Sequence, residues 1–294
     1  MKFVRLTHDG SPRLGALTED GTVRLTPAGV TLGQLLADRS LRENLTATSE
    51  SVIPFDPTTL LPSLEPTALM INVGANYHEH ALPSQDAPVP SVTWFSKAPQ
   101  TWIAAGAPIR LPVEFPDRVD YEGELCVVFG ADCHRVKAAD AWDYIGGYTV
   151  LNDVSARDAW PQLSAATTPA EERAAWNRML LGKQLPTFGP VGPAVVTADE
   201  VTDPLAMTLT TTLNDEEVQR TTVAKMKVGI PDLVEQLSRY FAFRPGDVIS
   251  TGTPGGVGQA RGRFLRAGDR VTVSVDGVGR LTNPVVDSSF SPSP

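Results

Sequence analysis

One stretch of the chain combines paired acids with a long apolar run: Asp120-Tyr121-Glu122-Gly123-Glu124-Leu125-Cys126-Val127-Val128-Phe129-Gly130. The apolar, β-favouring residues at 125–129 predict a β-strand. Because side chains alternate along a strand, Glu122 and Glu124 point to the same face. Two unpaired carboxylates are costly to bury, and a hard divalent cation would remove that cost. The alternative is a strand end with both acids in water, which the spacing alone favours because most Glu side chains are exposed.

A second acidic stretch follows the apolar run at 145–151, and residues 151–158 read Leu-Asn-Asp-Val-Ser-Ala-Arg-Asp. Glu-x-Glu followed by Asn-Asp-x-Ser-Ala-Arg-Asp resembles the fumarylacetoacetate hydrolase family, and the resemblance covers nearly the whole chain. Its other parts are Asn76-Tyr77-His78-Glu79-His80, Lys183, Ser250-Thr251-Gly252-Thr253-Pro254-Gly255-Gly256-Val257-Gly258 and Asn283-Pro284-Val285.

The resemblance implies a metal site. It makes Glu122, Glu124 and Asp153 the metal ligands, and it places Lys183 beside them as a catalytic residue that holds a substrate oxygen or a metal-bound oxygen. Three carboxylates leave positions on a six-coordinate ion for water and a chelating substrate. An all-oxygen set favours Mg²⁺ or Mn²⁺ over Zn²⁺, and Ca²⁺ can take the same ligands in a crystal.

The resemblance also implies substrate-binding residues, namely Tyr77, Gly252, Thr253 and Arg157. The Gly-rich run at 251–258 is expected to hold the substrate carboxylate. It is not a phosphate-binding P-loop, because no Gly-Lys-Ser/Thr follows, and no helix pattern opens after it as a dinucleotide site requires. For Arg157 the alternative is a structural ion pair with Asp158 or with the metal carboxylates.

The family's shared chemistry concerns 2-oxo acids and 1,3-dicarbonyl compounds, whose enolate the metal stabilises. In hydrolytic members a His activates water, and His80 matches it; the alternative is a surface histidine. Pro83 stands where hydrolase and decarboxylase members often carry an acid that pairs with this His, and Glu79 or Asp86 would have to substitute. Trp160 stands where a polar residue such as Gln is expected.

Three functional hypotheses follow. The first is metal-dependent hydrolysis or decarboxylation of a C–C bond in an acylpyruvate-like 1,3-dicarbonyl or 2-oxo acid. The second is an isomerase or tautomerase of a hydroxy-dienedioate or oxo acid, for which Pro83 matters less because no water is activated. The third is a non-catalytic metal- and ligand-binding member of the family, which the two departures motivate and the intact acidic triad opposes.

Short strands with turn signals and no regular βαβ alternation predict a β-rich α+β fold, and the resemblance implies a rolled mixed β-sheet. We expect a small N-terminal β-rich domain at 1–60, a catalytic domain at 61–287 and a flexible tail at 288–294. A helix that begins at Thr168, Pro169 and the capping-box Glu171 lies in an insertion at 161–181, and it is expected to continue to about Leu180 with Trp176, Met179 and Leu180 on its apolar side. That insertion is predicted to reshape the pocket, as a lid or as a dimer contact. A second, amphipathic helix is predicted at 231–241, and its apolar side comprises Leu233, Val234, Leu237, Tyr240 and Phe241.

Composition excludes some partners. The chain has 294 residues, of which 41% are hydrophobic and 20% charged, with a net charge of −9 and a pI near 5.0. No basic field recruits nucleic acid, and no apolar run is long enough for a transmembrane helix. Residues 1–6 contain no apolar stretch of signal-peptide length. The expectation is a cytoplasmic protein that acts on a small 2-oxo acid or dicarbonyl compound, and the resemblance implies a homodimer.

Overall fold

The computed structural model describes residues 1–48, 51–78, 92–159 and 166–288. Within them lie eighteen strands and five α-helices, which confirms the predicted β-rich α+β class. The strands are β1 (Lys2–His8), β2 (Ser11–Leu17), β3 (Thr22–Leu25), β4 (Val52–Pro54), β5 (Met70–Gly74), β6 (Thr93–Ser96), β7 (Trp102–Ile103), β8 (Ile109–Arg110), β9 (Val119–Asp120), β10 (Gly123–Phe129), β11 (Ile145–Asn152), β12 (Ser155–Ala156), β13 (Gly189–Thr197), β14 (Thr208–Leu213), β15 (Glu216–Thr222), β16 (Val248–Ser250), β17 (Arg270–Val275) and β18 (Gly279–Val286). The helices are α1 (Leu32–Ala37), α2 (Arg39–Thr48), α3 (Pro169–Leu181), α4 (Ile230–Ser238) and α5 (Gly258–Arg261).

The strands of the described residues form one large mixed sheet and two smaller ones. The large sheet has the order β4-β3-β2-β1-β13-β11-β10-β16-β5-β6, with β7 paired to β13 outside this path. The second sheet has the order β15-β14-β17-β18-β8, and β9 pairs with β12. The predicted N-terminal unit continues the large sheet through the antiparallel pair of β1 and β13. The domain boundary near residue 60 stays a prediction.

The large sheet is covered differently on its two faces. One face packs on the second sheet through a shared apolar cluster that includes Leu125, Val127, Tyr148, Val150, Leu209, Val273, Val275 and Leu281. Helix α4 packs on the same face farther along the sheet, where it contacts Ile71 and Ile249. The leucines of α1 cover the opposite face, where they join Cys126 and Val128. Because side chains alternate along β10, Glu124 projects to this second face.

For α3, the start of the helix agrees with the prediction, but the predicted apolar side does not. Thr168 caps α3 with Glu171 in a capping box and Pro169 in the first turn, as predicted. Trp176 and Leu180, however, were expected on the apolar side of α3, and they are 40% and 36% exposed. The reason is that α3 buries only its small Ala175 against the protein.

The predicted helix at 231–241 is also shorter than expected. Helix α4 ends at Ser238 and buries Leu233, Val234 and Leu237, so those positions of the predicted apolar side are correct. Tyr240 lies beyond the helix and is 72% exposed, which makes its assignment to that side wrong. No helix in the described ranges is both long and apolar enough to cross a membrane.

The close packing of the two sheets explains why a glycine, Gly123, lies between the two acids of the motif. The second sheet approaches β10 at this point, and a Cβ on Gly123 would lie 2.2 Å from Thr211 Oγ1 and 2.9 Å from Val273 Cγ1. Both neighbours belong to strands that are paired in register with each other. A side chain between Glu122 and Glu124 would therefore push the two sheets apart.

We expect Gly123→Ala to destabilise the protein by about 1–3 kcal/mol, the usual cost of overpacking a close-packed core. Gly74→Ala is the matched control, because a Cβ on that strand glycine meets its nearest atom, Thr93 Cγ2, at an ordinary 3.7 Å. Urea unfolding of both variants measures the difference. Equal midpoints for the two variants would contradict the close approach.

Candidate metal centre

The structure brings the three predicted metal ligands together. Each of Glu122, Glu124 and Asp153 is buried and offers a carboxylate oxygen, and these oxygens all lie within 4.8 Å of one another. The antiparallel pairing of β10 and β11 produces this geometry, because it places Gly123 opposite Asn152. The Asp153 N–H also donates to the Glu122 carbonyl at 2.8 Å, which extends the pairing past the strand ends.

Lys183 lies beside the acidic cluster, in the position that the family resemblance implies. Its Nζ donates to Glu122 Oε2 at 2.8 Å, to Asp153 Oδ2 at 2.6 Å and to Ser155 Oγ at 2.9 Å. The ring centroid of Phe95 lies 5.1 Å from the same Nζ. Lys183 therefore contacts two of the three ligands and leaves Glu124 to other partners.

A second lysine, Lys97, belongs to the site and was not assigned a role from the sequence. It follows β6 directly, and its buried Nζ donates to Asp153 Oδ1 at 2.7 Å and to the Lys183 carbonyl at 2.7 Å. The available signal was its place before Ala98-Pro99, a near match to the family's Lys-Pro stretch. Lys97 fixes both the third ligand and the backbone that carries Lys183.

Arg157 lies beside the cluster as an ion-pair partner. Its Nε donates to Asp120 Oδ2 at 2.9 Å, and a terminal nitrogen donates to Glu122 Oε1. Asp158, the other partner considered for this pair, accepts backbone N–H groups of Asp117 and Arg118 instead. The geometry matches a pair with the metal carboxylates, and a role of Arg157 in substrate binding stays a prediction.

Asp120, on β9, connects the Gly-rich loop to the segment of the chain that carries Glu122. Its side chain accepts the Gly258 N–H at 2.5 Å and the Gln259 N–H at 3.0 Å, in addition to the contact with Arg157. This role was not predicted, although Asp120 opens the motif. The loop at 251–258 is thus held next to Glu122 through one buried carboxylate.

Two predicted substrate-binding residues lie on this loop. Thr253 is buried and its Oγ1 accepts from Gln219 Nε2 at 2.9 Å. Gly252 has a φ of +94°, and a Cβ there would lie 3.0 Å from Asn76 Cβ, so both its backbone and its surroundings require glycine. Their contact with substrate stays a prediction.

Tyr77 and Asn76 lie in the interior next to the loop. Tyr77 is fully buried and its backbone bridges to Met226. The Asn76 amide donates to the carbonyls of Thr251 and Val228 and accepts the Val228 N–H. The Asn76 side chain thus connects two separate segments of the chain.

Several predictions fall outside the described residues. His80, with Glu79, Pro83 and Asp86, belongs to the segment 79–91, and Trp160 belongs to 160–165. The role of His80 as a base, and the question of which acid assists it, stay predictions.

Burial sets the protonation of the cluster. It raises the pKa of Glu124 well above the usual value, and the charges of Asp153 and Glu122 raise it further. Burial lowers the pKa of Lys97. Burial also acts to lower the pKa of Lys183, but the negative charges of Asp153 and Glu122 outweigh that effect. The pKa of Lys183 is therefore raised, and its ammonium form persists at neutral pH.

The charges and donors fit a hard divalent cation. Four buried carboxylates face three buried cations: Asp120, Glu122, Glu124 and Asp153 face Lys97, Lys183 and Arg157. A divalent ion would leave the cluster with one net positive charge, which an anionic substrate would neutralise. Glu124 in particular accepts a hydrogen bond from Ser250 but contacts none of the three cations among the described residues. The donor set therefore suits Mg²⁺ or Mn²⁺.

Comparison with known proteins establishes the family. A model described as the fumarylacetoacetate (FAA) hydrolase C-terminal domain matches residues 70–286, so the chain belongs to the fumarylacetoacetate hydrolase family of enzymes. The oxaloacetate tautomerase YisK of Bacillus subtilis is 33% identical over 228 residues, which cover 76% of this chain and 71% of that protein.

Solved structures share the fold over almost the whole chain. A 5-carboxymethyl-2-hydroxymuconate delta-isomerase from Mycobacterium smegmatis is 31% identical with a TM-score of 0.76, and the match covers 98% of this chain and 100% of that chain. A maleylpyruvate hydrolase from Sphingobium sp. SYK-6, in complex with manganese(II) and pyruvate, is 26% identical with a TM-score of 0.77, covering 98% and 99%. These matches confirm the predicted β-rich fold with its mixed sheet.

We expect the stability of chelator-treated protein to fall as pH rises above about 4.3, the ordinary pKa of a Glu side chain. Above that pH the unfolded chain releases the Glu124 proton, while the raised pKa keeps it bound in the folded state. Mn²⁺ requires the ionised carboxylate and should oppose the loss of stability. Urea midpoints measured against pH, with chelator and with Mn²⁺, provide the test.

Glu124→Gln is the comparison for this measurement. The amide keeps the shape of the side chain and removes the titration, so both the pH slope and the gain from Mn²⁺ should shrink. An unchanged slope in the variant would assign the pH dependence to other groups.

Proposed function

We propose that this protein is a divalent-metal-dependent enzyme that forms and stabilises the enolate of a 2-oxo acid. We further propose that it catalyses keto–enol tautomerisation or double-bond isomerisation of a 2-oxo dicarboxylic acid such as oxaloacetate. The observation that carries the proposal is the buried triad of Glu122, Glu124 and Asp153 with the Lys183 ammonium between two of its members.

Two considerations favour isomerisation over C–C cleavage, which was the first hypothesis from the sequence. The named tautomerase is 33% identical and the named isomerase 31%, against 26% for the named hydrolase. Pro83 also stands where an acid would assist a water-activating His, and isomerisation consumes no water.

The chain's own groups account for most of the proposed chemistry. A bound Mg²⁺ or Mn²⁺ would supply a Lewis acid at the oxygen where negative charge develops. The Lys183 ammonium, which stays protonated at neutral pH, donates to the same developing charge. Burial excludes water and strengthens this interaction. His80 is the proposed base: it removes a proton from the carbon beside the carbonyl, and the proton returns to the oxygen of the enol.

C–C cleavage is the second candidate. It is favoured by the match to the maleylpyruvate hydrolase, whose complex holds manganese and pyruvate. Cleavage uses the same enolate but requires either an activated water or loss of carbon dioxide. The two candidates therefore differ in products and share the metal site.

Metal-dependent turnover separates the candidates. After treatment with chelator, we expect Mn²⁺ or Mg²⁺ to restore the interconversion of enol and keto oxaloacetate, followed by absorbance and NMR, with the mass unchanged. Release of pyruvate from oxaloacetate, or of two acids from an acylpyruvate, as the main reaction would favour C–C cleavage. Turnover that is indifferent to metal would contradict both.

Matched variants show whether the triad is responsible. Glu122→Gln should abolish the metal-restored rate. Glu217→Gln, which changes an exposed carboxylate paired with Arg220, should leave it unchanged. A full rate in Glu122→Gln would remove the triad from the mechanism.

Removing the Lys183 ammonium should affect turnover more than metal binding. We expect Lys183→Met to lower kcat by about 10²–10³-fold, the usual cost of one donor at a developing negative charge. The carboxylate ligands remain, so Mn²⁺ binding measured by calorimetry should persist. Lys137→Met, at an exposed lysine paired with Glu235, is the control. Loss of metal binding in parallel with kcat would make Lys183 a structural residue.

A further inference from the structure

A row of buried polar side chains crosses the large sheet next to the metal ligands. Asn72 on β5 pairs with Ser250 on β16, Ser250 pairs with Cys126 on β10, and Cys126 pairs with Thr149 on β11. Residues paired in register project to the same face of a sheet, and all four side chains are fully buried. Because Glu124 is two residues from Cys126 on β10, the row lies on the face that carries this ligand.

Three members of the row have hydrogen-bond partners. Thr149 donates to the Ala194 carbonyl at 2.7 Å, Ser250 donates to Glu124 Oε2, and Cys126 Sγ lies 3.3 Å from Ser250 Oγ. Asn72 is different: neither its amide nitrogen nor its amide oxygen has a partner within the part of the chain that the structure describes.

Asn72 lies between two residues that touch the site. On one side is Ser250, which donates to Glu124. On the other side is Phe95, the register partner of Asn72 on β6, whose ring centroid lies 5.1 Å from Lys183 Nζ. The Asn72 side chain shares a face with both neighbours, so it lies next to the side chains that contact Glu124 and Lys183.

An unsatisfied buried amide is unfavourable in a folded protein, because it loses its hydrogen bonds to water and gains none. A leucine would fill a similar volume without this cost. The amide therefore indicates a ligand group that completes its hydrogen bonds. Being neutral, it adds no charge to a cluster in which cations and carboxylates already nearly balance.

Asn72 is a neighbour of the metal cluster in the sheet. Strands β5 and β10 are separated by β16, so their backbones lie about 10 Å apart at the usual strand spacing. A substrate held at the triad can extend across this separation toward the Asn72 amide.

We propose that Asn72 is a specificity-determining residue, whose amide binds an oxygen at the end of the substrate remote from the 2-oxo carboxylate. The substrate class is then a 2-oxo acid with a second carboxylate or carbonyl, rather than one with an apolar end. This inference rests on the proposed function, since it assumes that the triad and Lys183 hold the 2-oxo carboxylate end.

The test compares two acids that share the 2-oxo carboxylate. Oxaloacetate has an oxygen-bearing remote end and 2-oxobutyrate has an apolar one. Exchange of their C3 protons in D₂O, followed by NMR with Mn²⁺-loaded protein and corrected for the uncatalysed rate, gives kcat/KM for both. Asn72→Leu should lower the value for oxaloacetate at least about 10-fold and change that for 2-oxobutyrate less than about 2-fold, because a site built for a hydrogen bond discriminates strongly. Asn72→Ser, which keeps a hydroxyl, should restore part of the preference.

Thr149→Val is the matched control, because it removes a polar group of the same row whose partners, the Ala194 carbonyl and the Ser63 hydroxyl, lie outside the row. It should lower stability and leave the ratio of the two substrates unchanged. An equal fall for both acids in Asn72→Leu, or no fall for either, would overturn the role of Asn72.

A separate measurement distinguishes this inference from the proposed function. If wild-type protein exchanges neither acid, the proposed function fails, and calorimetric binding of the two acids to Mn²⁺-loaded protein then tests Asn72 alone. Selective weakening of oxaloacetate binding in Asn72→Leu supports the inference. Equal binding of oxaloacetate to wild type and variant overturns it.

Discussion

Crowding of buried negative charge is the central constraint on this molecule. Three buried carboxylates have oxygens within 4.8 Å of one another, and a fourth, Asp120, lies beside them. Unpaired buried charges cost several kcal/mol each, so each of these acids must either meet a cation or, like Glu124, keep its proton. Lys97, Arg157 and Lys183 reach the acids from three separate segments. Lys97 pairs with Asp153 beyond the end of β11, and Arg157 and Lys183 both pair with Glu122 just before β10.

The two sheets make that cluster geometrically specific. Strand β10 lies between β11 and β16, so its register is fixed from both sides, and the second sheet presses on Gly123 from one face. The opposite face is closed by the leucines of α1 at one end and left to the polar groups of the site at the other. Asp120, on β9, then links the Gly-rich loop to the segment that leads into β10. Ligands, counter-cations and the predicted substrate loop thus share one rigid support.

The sequence predicts best what is local. Alternation along one strand places Glu122 and Glu124 together, and the capping box predicts the start of α3, because both depend on neighbouring residues. The order of the motifs along the chain predicts the family, and through it the roles of Asp153 and Lys183. The roles of Lys97 and Asn72 could not be predicted, since they depend on which strands pair and in which register. A lysine or asparagine in isolation is typical of the surface, and only the sheet shows it to be interior. The substrate depends on several such non-local contacts at once.

The depth of β10 has a consequence for how the protein exchanges its ion. All seven residues of the strand are buried, and its backbone is bonded to β11 along its length and to β16 over its central part. Amide hydrogens in such a strand exchange with solvent only when the whole domain opens. Because its neighbouring strands and not the ion hold β10 in place, we expect the backbone that carries Glu124 to stay folded while a metal ion enters or leaves.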